Sequence, residues 1–267
     1  MLGKALRPCT SFCGVRSVTG VIVTRKNNYG VITLNDPPIH NAIKNSDITI
    51  IREALFKWRN QELDAIVITG SGKSFCSGLF LDEFDYKAWD KNPITVICED
   101  IENCNCPVIC ALNGGAYGGA VEIALSCDFR IANKRLSLMV PASRLGIHYE
   151  ASGLRRALNI LGPSLTRRLF LLGEVISFED ILKTNFIDFC VGDDETVKDK
   201  SLNVVKSLSK NSSLAVSGMK KTIIEILNNS LNAEVAAMRV QDCFNSEDHK
   251  GALLAIKEKR VPKFKGF

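Results

Sequence analysis

The stretch CPVICALNGGAYGGAVEIALSCD, residues 106–128, limits the fold of this chain more than any other. An apolar run of strand length, VICAL, leads into four glycines within positions 113–119, and a helix-like run carrying the lone carboxylate Glu122 follows. Glycine lacks a Cβ, so backbone N–H groups in such a turn can approach a ligand closely. The helix start adds unpaired N–H donors and the positive end of its dipole. Buried strand, glycine turn and helix, in that order, describe an α/β layer whose turn is a hole for an oxyanion.

The same alternation recurs along the chain. GVIVTRKN and GVITLND read as two strands meeting at a turn over 27–30. Residues 46–58 carry apolar side chains at helical spacing, with Ser46 or Asp47 as the cap. LDAIVITG is a short strand ended by Gly70, a helix is predicted over 90–104, and PVICALNG is the next buried strand. Beyond about residue 192 strands stop, and two helical segments follow, roughly 194–227 and 233–259. No linker rich in Pro, Gly or Ser divides the 267 residues, and 46% hydrophobic content is enough for a sizeable core. The expected organisation is a flexible N-terminus or transit peptide over 1–17, a core over 18–193 and a helical region over 194–267.

The net charge of +5 is spread among Asp and Glu rather than gathered in blocks, so nothing calls for nucleic acid, while an anionic ligand is accommodated. Cys98, Cys104, Cys106 and Cys110 form a local group among the ten cysteines, but it contains no CxxC pair and no histidine, and zinc is rejected. Thiols in apolar runs such as CPVICAL act as small hydrophobes and fit a reducing compartment. No apolar run approaches the ~20 residues of a membrane span. The opening MLGKALRPCTSFCGVRS carries Lys4, Arg7 and Arg16, and the first acidic residue of the chain is Asp36. That is the composition of a mitochondrial transit peptide, or else of a short disordered tail, so the compartment is mitochondrial or cytoplasmic.

Nucleotide motifs fail on inspection. GSGKS at 70–74 looks like the end of a P-loop, but Val67 stands where its first glycine belongs, and NGGAYGG lacks the GxGxxG spacing. What remains is a pair of similar turns, SFCSGLF at 74–80 and GAYGGAVE at 115–122, each after a predicted buried strand. Two donors aimed at one oxygen stabilise the enolate of a thioester.

With GSGKSFCSGLFLDEF, CPVICALNGGAYGGAVEIALSCDFRIA, VPASRLGI and the EKRVPKFKG tail in this order, the sequence resembles the crotonase superfamily, the enoyl-CoA hydratase/isomerase family, from about residue 18 to the C-terminus. The resemblance implies an α/β spiral of ββα units with a C-terminal helical region that builds homotrimers, often paired into hexamers. It implies an acyl-CoA thioester substrate and no separate cofactor, coenzyme A being part of the substrate. It puts the oxyanion hole on the N–H groups of Leu79 and Gly119. The CoA moiety then lies along Ser77, Gly78, Phe80 and Leu81, beside Gly118, and Phe264 with Lys265, often from a neighbouring subunit, helps to hold it. Lys26 is read as a solvated surface charge.

Glu122 stands three residues after Gly119, on the same helical face. It matches one of the two glutamates with which hydratases of the family hold and activate water; the plainer alternative is a first-turn Glu complementing the helix dipole. The second glutamate of those hydratases follows a proline, and VPASRLG has Ala142 at that position, which the resemblance counts among the substrate-binding residues. The family's isomerases usually put their base at that same place. The loop GIHYE adds Tyr149 as a second catalytic candidate, with His148 and Glu150 as loop residues, while His40 is read as structural. Phe80, at a position often held by Asp in the family, makes the lip of the site apolar, which suits an aliphatic acyl chain and raises the pKa of a nearby buried Glu. The reading is an acyl-CoA enzyme of hydratase/isomerase type in fatty-acid or related metabolism. The alternatives are a malonyl-type decarboxylase using Tyr149 and a catalytically weakened acyl-CoA-binding protein. RNA binding, known in the family, lacks its comb of lysines on the helix over 46–59.

Overall fold

The computed structural model describes residues 20–83, 85, 87 and 89–267, so the leader expected over 1–17 lies outside the described residues. Strands β1 (Val21–Arg25) and β2 (Tyr29–Leu34) form the predicted antiparallel hairpin, closed where the Lys26 N–H donates to the Tyr29 carbonyl at 2.9 Å. Strand β3 (Ala65–Gly70) and strand β4 (Val108–Leu112) continue the sheet in parallel. The short strands β5 (Ala116–Tyr117), β6 (Phe129–Ala132), β7 (Leu138–Met139) and β8 (Phe189–Cys190) follow in the chain. The main sheet runs β1-β2-β3-β4-β6-β8, and β5 pairs with β7 in a second, two-stranded sheet. Single bridges from Ile43 to Leu79, Cys76 to Ala116 and Leu138 to Ile176 extend that second layer along the turns of the spiral.

Between strands lie α1 (Asn45–Arg59), α2 (Pro93–Glu102), α3 (Gly119–Ser126), α4 (Ala151–Leu171) and α5 (Phe178–Ile181). Every residue of β4 is buried, as befits a parallel strand covered on both faces. The period-two alternation sorts its side chains. Ile66, Ile68, Cys110 and Leu112 join Leu55, Ile97, Ile101 and Val121 in the main core. Val67, Ile109 and Ala111 instead meet Val197, Val204 and Val205 of α6 (Val197–Leu208) in a smaller core behind the sheet.

Local chemistry moves several boundaries. Neither Ser46 nor Asp47 is the N-cap of α1: Lys44 is, with an extended backbone, and Asp47 on the first turn accepts its N–H at 3.0 Å. The helix predicted over 90–104 begins at Pro93, because the Asn92 side chain accepts from the Ile94 N–H and proline is tolerated at the first helical position. No helix is predicted at α4, since Gly153, Gly162 and Pro163 interrupt its periodicity, and the chain does kink at Gly162 (φ 72°, ψ 169°). The two C-terminal segments each break in two, giving α6, α7 (Ser213–Leu227), α8 (Ala233–Asn245) and α9 (Glu247–Lys257). Ser212 caps α7 and Ser246 caps α9, each accepting a backbone N–H three residues on.

Lys220 ties α7 to the spiral. Its buried Nζ donates to the Ile101 and Cys106 carbonyls at 3.2 and 3.0 Å and to Asp128 at 2.7 Å. Helix α8, by contrast, buries none of its residues within the chain. No described helix is long and apolar enough to cross a membrane.

Candidate active site

The two glycine turns converge. A Cβ on Gly78 would fall 2.9 Å from the Tyr117 carbonyl oxygen and 3.1 Å from the Gly119 nitrogen, so only glycine lets the arms approach this closely. Gly78 and Gly118 also hold positive φ, 90° and 55°, where other residues are strained. Gly119 is required for a different contact, because a Cβ there would lie 2.7 Å from the Ile94 side chain of α2.

Peptide planarity aims the amides. Ile43 donates its N–H to the Gly78 carbonyl at 2.8 Å and accepts from the Phe80 N–H at 2.9 Å. The Leu79 N–H belongs to the same trans peptide unit as that carbonyl and points the opposite way. The Gly118 carbonyl accepts from Val121 at 3.1 Å inside the first turn of α3, so the Gly119 N–H likewise points back out of the helix. Among the described residues neither the Leu79 nor the Gly119 N–H has an acceptor within the chain.

Both residues line a cavity of about 150 Å³ whose wall includes Ser77, Leu79, Leu81, Gly118, Gly119, Glu122, Ala142 and Tyr149. Apolar Leu145 and Ile147 stand at its exposed side, and the loop residues His148 and Glu150 reach it as well. Phe80 is not in the wall; its ring sits 5.8 Å from the Lys44 ammonium. In the single chain Phe264 and Lys265 are also elsewhere. Phe264 lines an apolar cleft among α7, α8 and α9, and the backbone of Lys265 is held by Asp248. Lys26 is an exposed surface residue, and His40 bonds the Ser74 hydroxyl at 2.9 Å, consistent with a structural part. Asn41 beside it donates to the carbonyls of Ser71, Ser74 and Phe75, fixing the GSGKS loop. Cys98, Cys104, Cys106 and Cys110 are packed into the main apolar core.

Glu122, on the first turn of α3, is 3% exposed. Burial pushes its pKa above the usual carboxylate value; a hydrogen bond from the Tyr149 hydroxyl and the charge of Arg156 oppose that, while Glu150 and Glu102 add to it. Burial, then the charge of Glu122, holds the Tyr149 phenol well above its ordinary pKa, so it stays a neutral donor. Tyr149 packs edge-on against Phe170 of α4, with ring centroids 4.8 Å apart. Gly153 makes room for the pair: a Cβ there would fall 2.5 Å from the Tyr149 ring and 2.9 Å from the Glu122 carboxyl carbon.

Two residues of this site are absent from the sequence reading. Arg156 of α4 donates from Nη1 to Glu122 Oε1 at 2.9 Å, and from Nε and Nη2 to the two carboxylate oxygens of Glu102 at 2.7 and 2.8 Å. Burial works against the guanidinium charge, but the bonds it donates to Glu102 and the surrounding negative charge more than offset it. The only sequence signal was the pair Arg155-Arg156 inside an otherwise apolar run, LRRALNIL.

A family model described as enoyl-CoA hydratase/isomerase matches residues 24–266. Among curated proteins, the chain is 28% identical over 254 residues to a 2,3-dehydroadipyl-CoA hydratase of Escherichia coli strain K12, covering 92% of this chain and 98% of that one. It is 26% identical to a probable mitochondrial enoyl-CoA hydratase of Dictyostelium discoideum, covering 89% and 88%. Among solved structures, an enoyl-CoA hydratase from Bacillus anthracis superposes with a TM-score of 0.82 at 25% identity, covering 93% of this chain and all of that one.

Proposed function

Because this chain belongs to the enoyl-CoA hydratase/isomerase family, we propose that it catalyses a hydratase/isomerase-type reaction on an enoyl-CoA thioester, with Glu122 carrying the proton. The observation that carries this reading is one buried carboxylate in the wall of the same cavity as two unpaired amides. The thioester oxygen accepts from the Leu79 and Gly119 N–H groups, which gain most as negative charge develops on it. Glu122 removes a proton from the acyl chain or from water and returns it to carbon, so a single carboxylate balances either a double-bond shift or a hydration. Its raised pKa strengthens it as a base, and Tyr149 keeps it oriented. Apolar Leu81, Leu145 and Ile147 suit an aliphatic acyl group.

The malonyl-type decarboxylase is the weaker reading. An acyl carboxylate would meet the carboxyl groups of Glu122 and Glu150 in the same wall. In the assembly we propose, a homotrimer or a pair of them, Phe264 and Lys265 serve the CoA of a neighbouring subunit. The basic, acid-free opening over 1–17 supports a mitochondrial location.

Purified protein is offered 2-enoyl-, 3-enoyl- and methylmalonyl-CoA, with thioester absorbance and CO₂ followed. Turnover is expected on an enoyl-CoA, and Glu122→Gln is expected to reduce kcat by roughly 10²–10⁴-fold. Undiminished turnover in Glu122→Gln would sink the assigned role. Tight thioester binding without turnover or α-deuterium uptake would identify a binding protein instead.

A further inference from the structure

The cation beside Glu122 is more elaborate than a helix contact requires. Arg156 is 6% exposed and spends Nε and Nη2 on a bidentate pair with Glu102 at the end of α2. That fork alone satisfies the usual geometry of a buried Arg–carboxylate pair. The remaining nitrogen, Nη1, is turned onto Glu122 Oε1, while Oε2 lies toward Gly153 beside Tyr149. Three helices thus meet at one guanidinium, and one of the two carboxylates it holds faces the cavity.

We infer that Arg156, clamped by Glu102, is a positioning residue that fixes the Glu122 carboxylate by one oxygen and favours its charged form. The inference rests on the proposed role of Glu122 and goes beyond it by naming what sets the state of that base. The groups facing Glu122 are Arg156 from α4, Tyr149 and Glu150 from the segment leading into α4, and Glu102 and Cys98 from α2; His148 reaches the same cavity. Arg156 is the fixed cation of the set, and Glu102 and Glu150 push the other way. Glu102 has two effects: it locks the fork in place and it neutralises part of the charge that Glu122 feels. A clamp of this kind predicts opposite responses at its two ends, which an ion pair that does not act on Glu122 does not.

The test is the pH profile of kcat/KM in Arg156→Met, Arg156→Lys and Glu102→Gln. Loss of the cation makes Glu122 easier to protonate, so the acid limb of Arg156→Met is expected to move to higher pH by about 1–3 units, a tenfold or greater loss below it that alkali restores. Arg156→Lys keeps the charge and restores the limb toward the parent position. Glu102→Gln leaves more of the Arg156 charge to Glu122, and its limb moves to lower pH. Limbs that stay in place, or that move in the same direction at both ends, overturn the inference. Should Arg156→Met fail to fold, the Lys and Gln variants decide. Independently of turnover, the infrared carboxyl band lost in Glu122→Gln reports the Glu122 titration without substrate. The same opposite shifts must appear there, even if no enoyl-CoA is converted and the proposed activity is wrong.

Discussion

Gly153 shows how the site is arranged at the scale of single residues. On a helix, alanine ordinarily exceeds glycine by about 0.5–1 kcal/mol, so Gly153→Ala would be stabilising if nothing opposed it. Here the added methyl would overlap the Tyr149 ring, which packs on Phe170, and crowd the Glu122 carboxyl, which is held by Arg156. The expected result is no gain in Tm and a fall of tenfold or more in kcat, read by thermal melting beside steady-state assays. A stabilised, fully active variant would show that the Tyr149–Glu122 pair has slack. Glu122 and the two glycine arms were legible in the sequence because their chemistry depends on short spacings along one turn. Arg156 and Glu102 were not, because their meeting depends on how α2, α3 and α4 pack, and no pattern within any one segment encodes it. Tyr149 was legible as a candidate but its placement beside Glu122 and against Phe170 was not, since that depends on how α4 packs.

At the scale of elements, the strands were the easiest to read. Apolar runs bounded by glycine or proline fix β3 and β4 with little help from context, and both faces of each are buried. Helix ends were harder, because apolar periodicity continues through Ser212 and Ser246 while the backbone breaks there to be capped. Helix α4 was hidden by its own glycines and proline. The attachment of α7 is another long-range event, resting on one buried ammonium and three oxygens. Lys220→Met removes a charged donor and leaves Asp128 and two carbonyls short of a partner. Chemical denaturation should show a loss of about 1.5–3 kcal/mol. Unchanged stability would mean that water replaces the ammonium at no cost.

For the whole molecule, the alternation of strand and helix was sufficient to indicate layered α/β architecture, and the motifs indicated the spiral. The second sheet was not legible, because much of it consists of single bridges with no run of residues to mark them. What the isolated chain leaves open to water is as informative as its core. Met238 is 63% exposed, Ile256 71% and Val261 75%, and they are joined by Met219, Ile223, Val240, Phe244 and Leu253 on the C-terminal helices. These side chains are the ones that the proposed assembly would cover. Sedimentation equilibrium is expected to give a multiple of three times the 29.4 kDa chain, and Met238→Lys with Phe244→Lys to disperse it. A monomeric parent protein would refute that assembly.

Ala142 has a consequence for how such a chain can diverge. It begins a 3₁₀ turn, borders the cavity on one side and packs into the main core on the other, so a longer side chain there must be directed into the cavity. An exchange for Glu at this position would therefore be limited by packing on the core side, while adding a second proton-carrying group beside the acyl chain. Reaction type can drift on this scaffold by single substitutions, with the frame that aims the two amides left untouched.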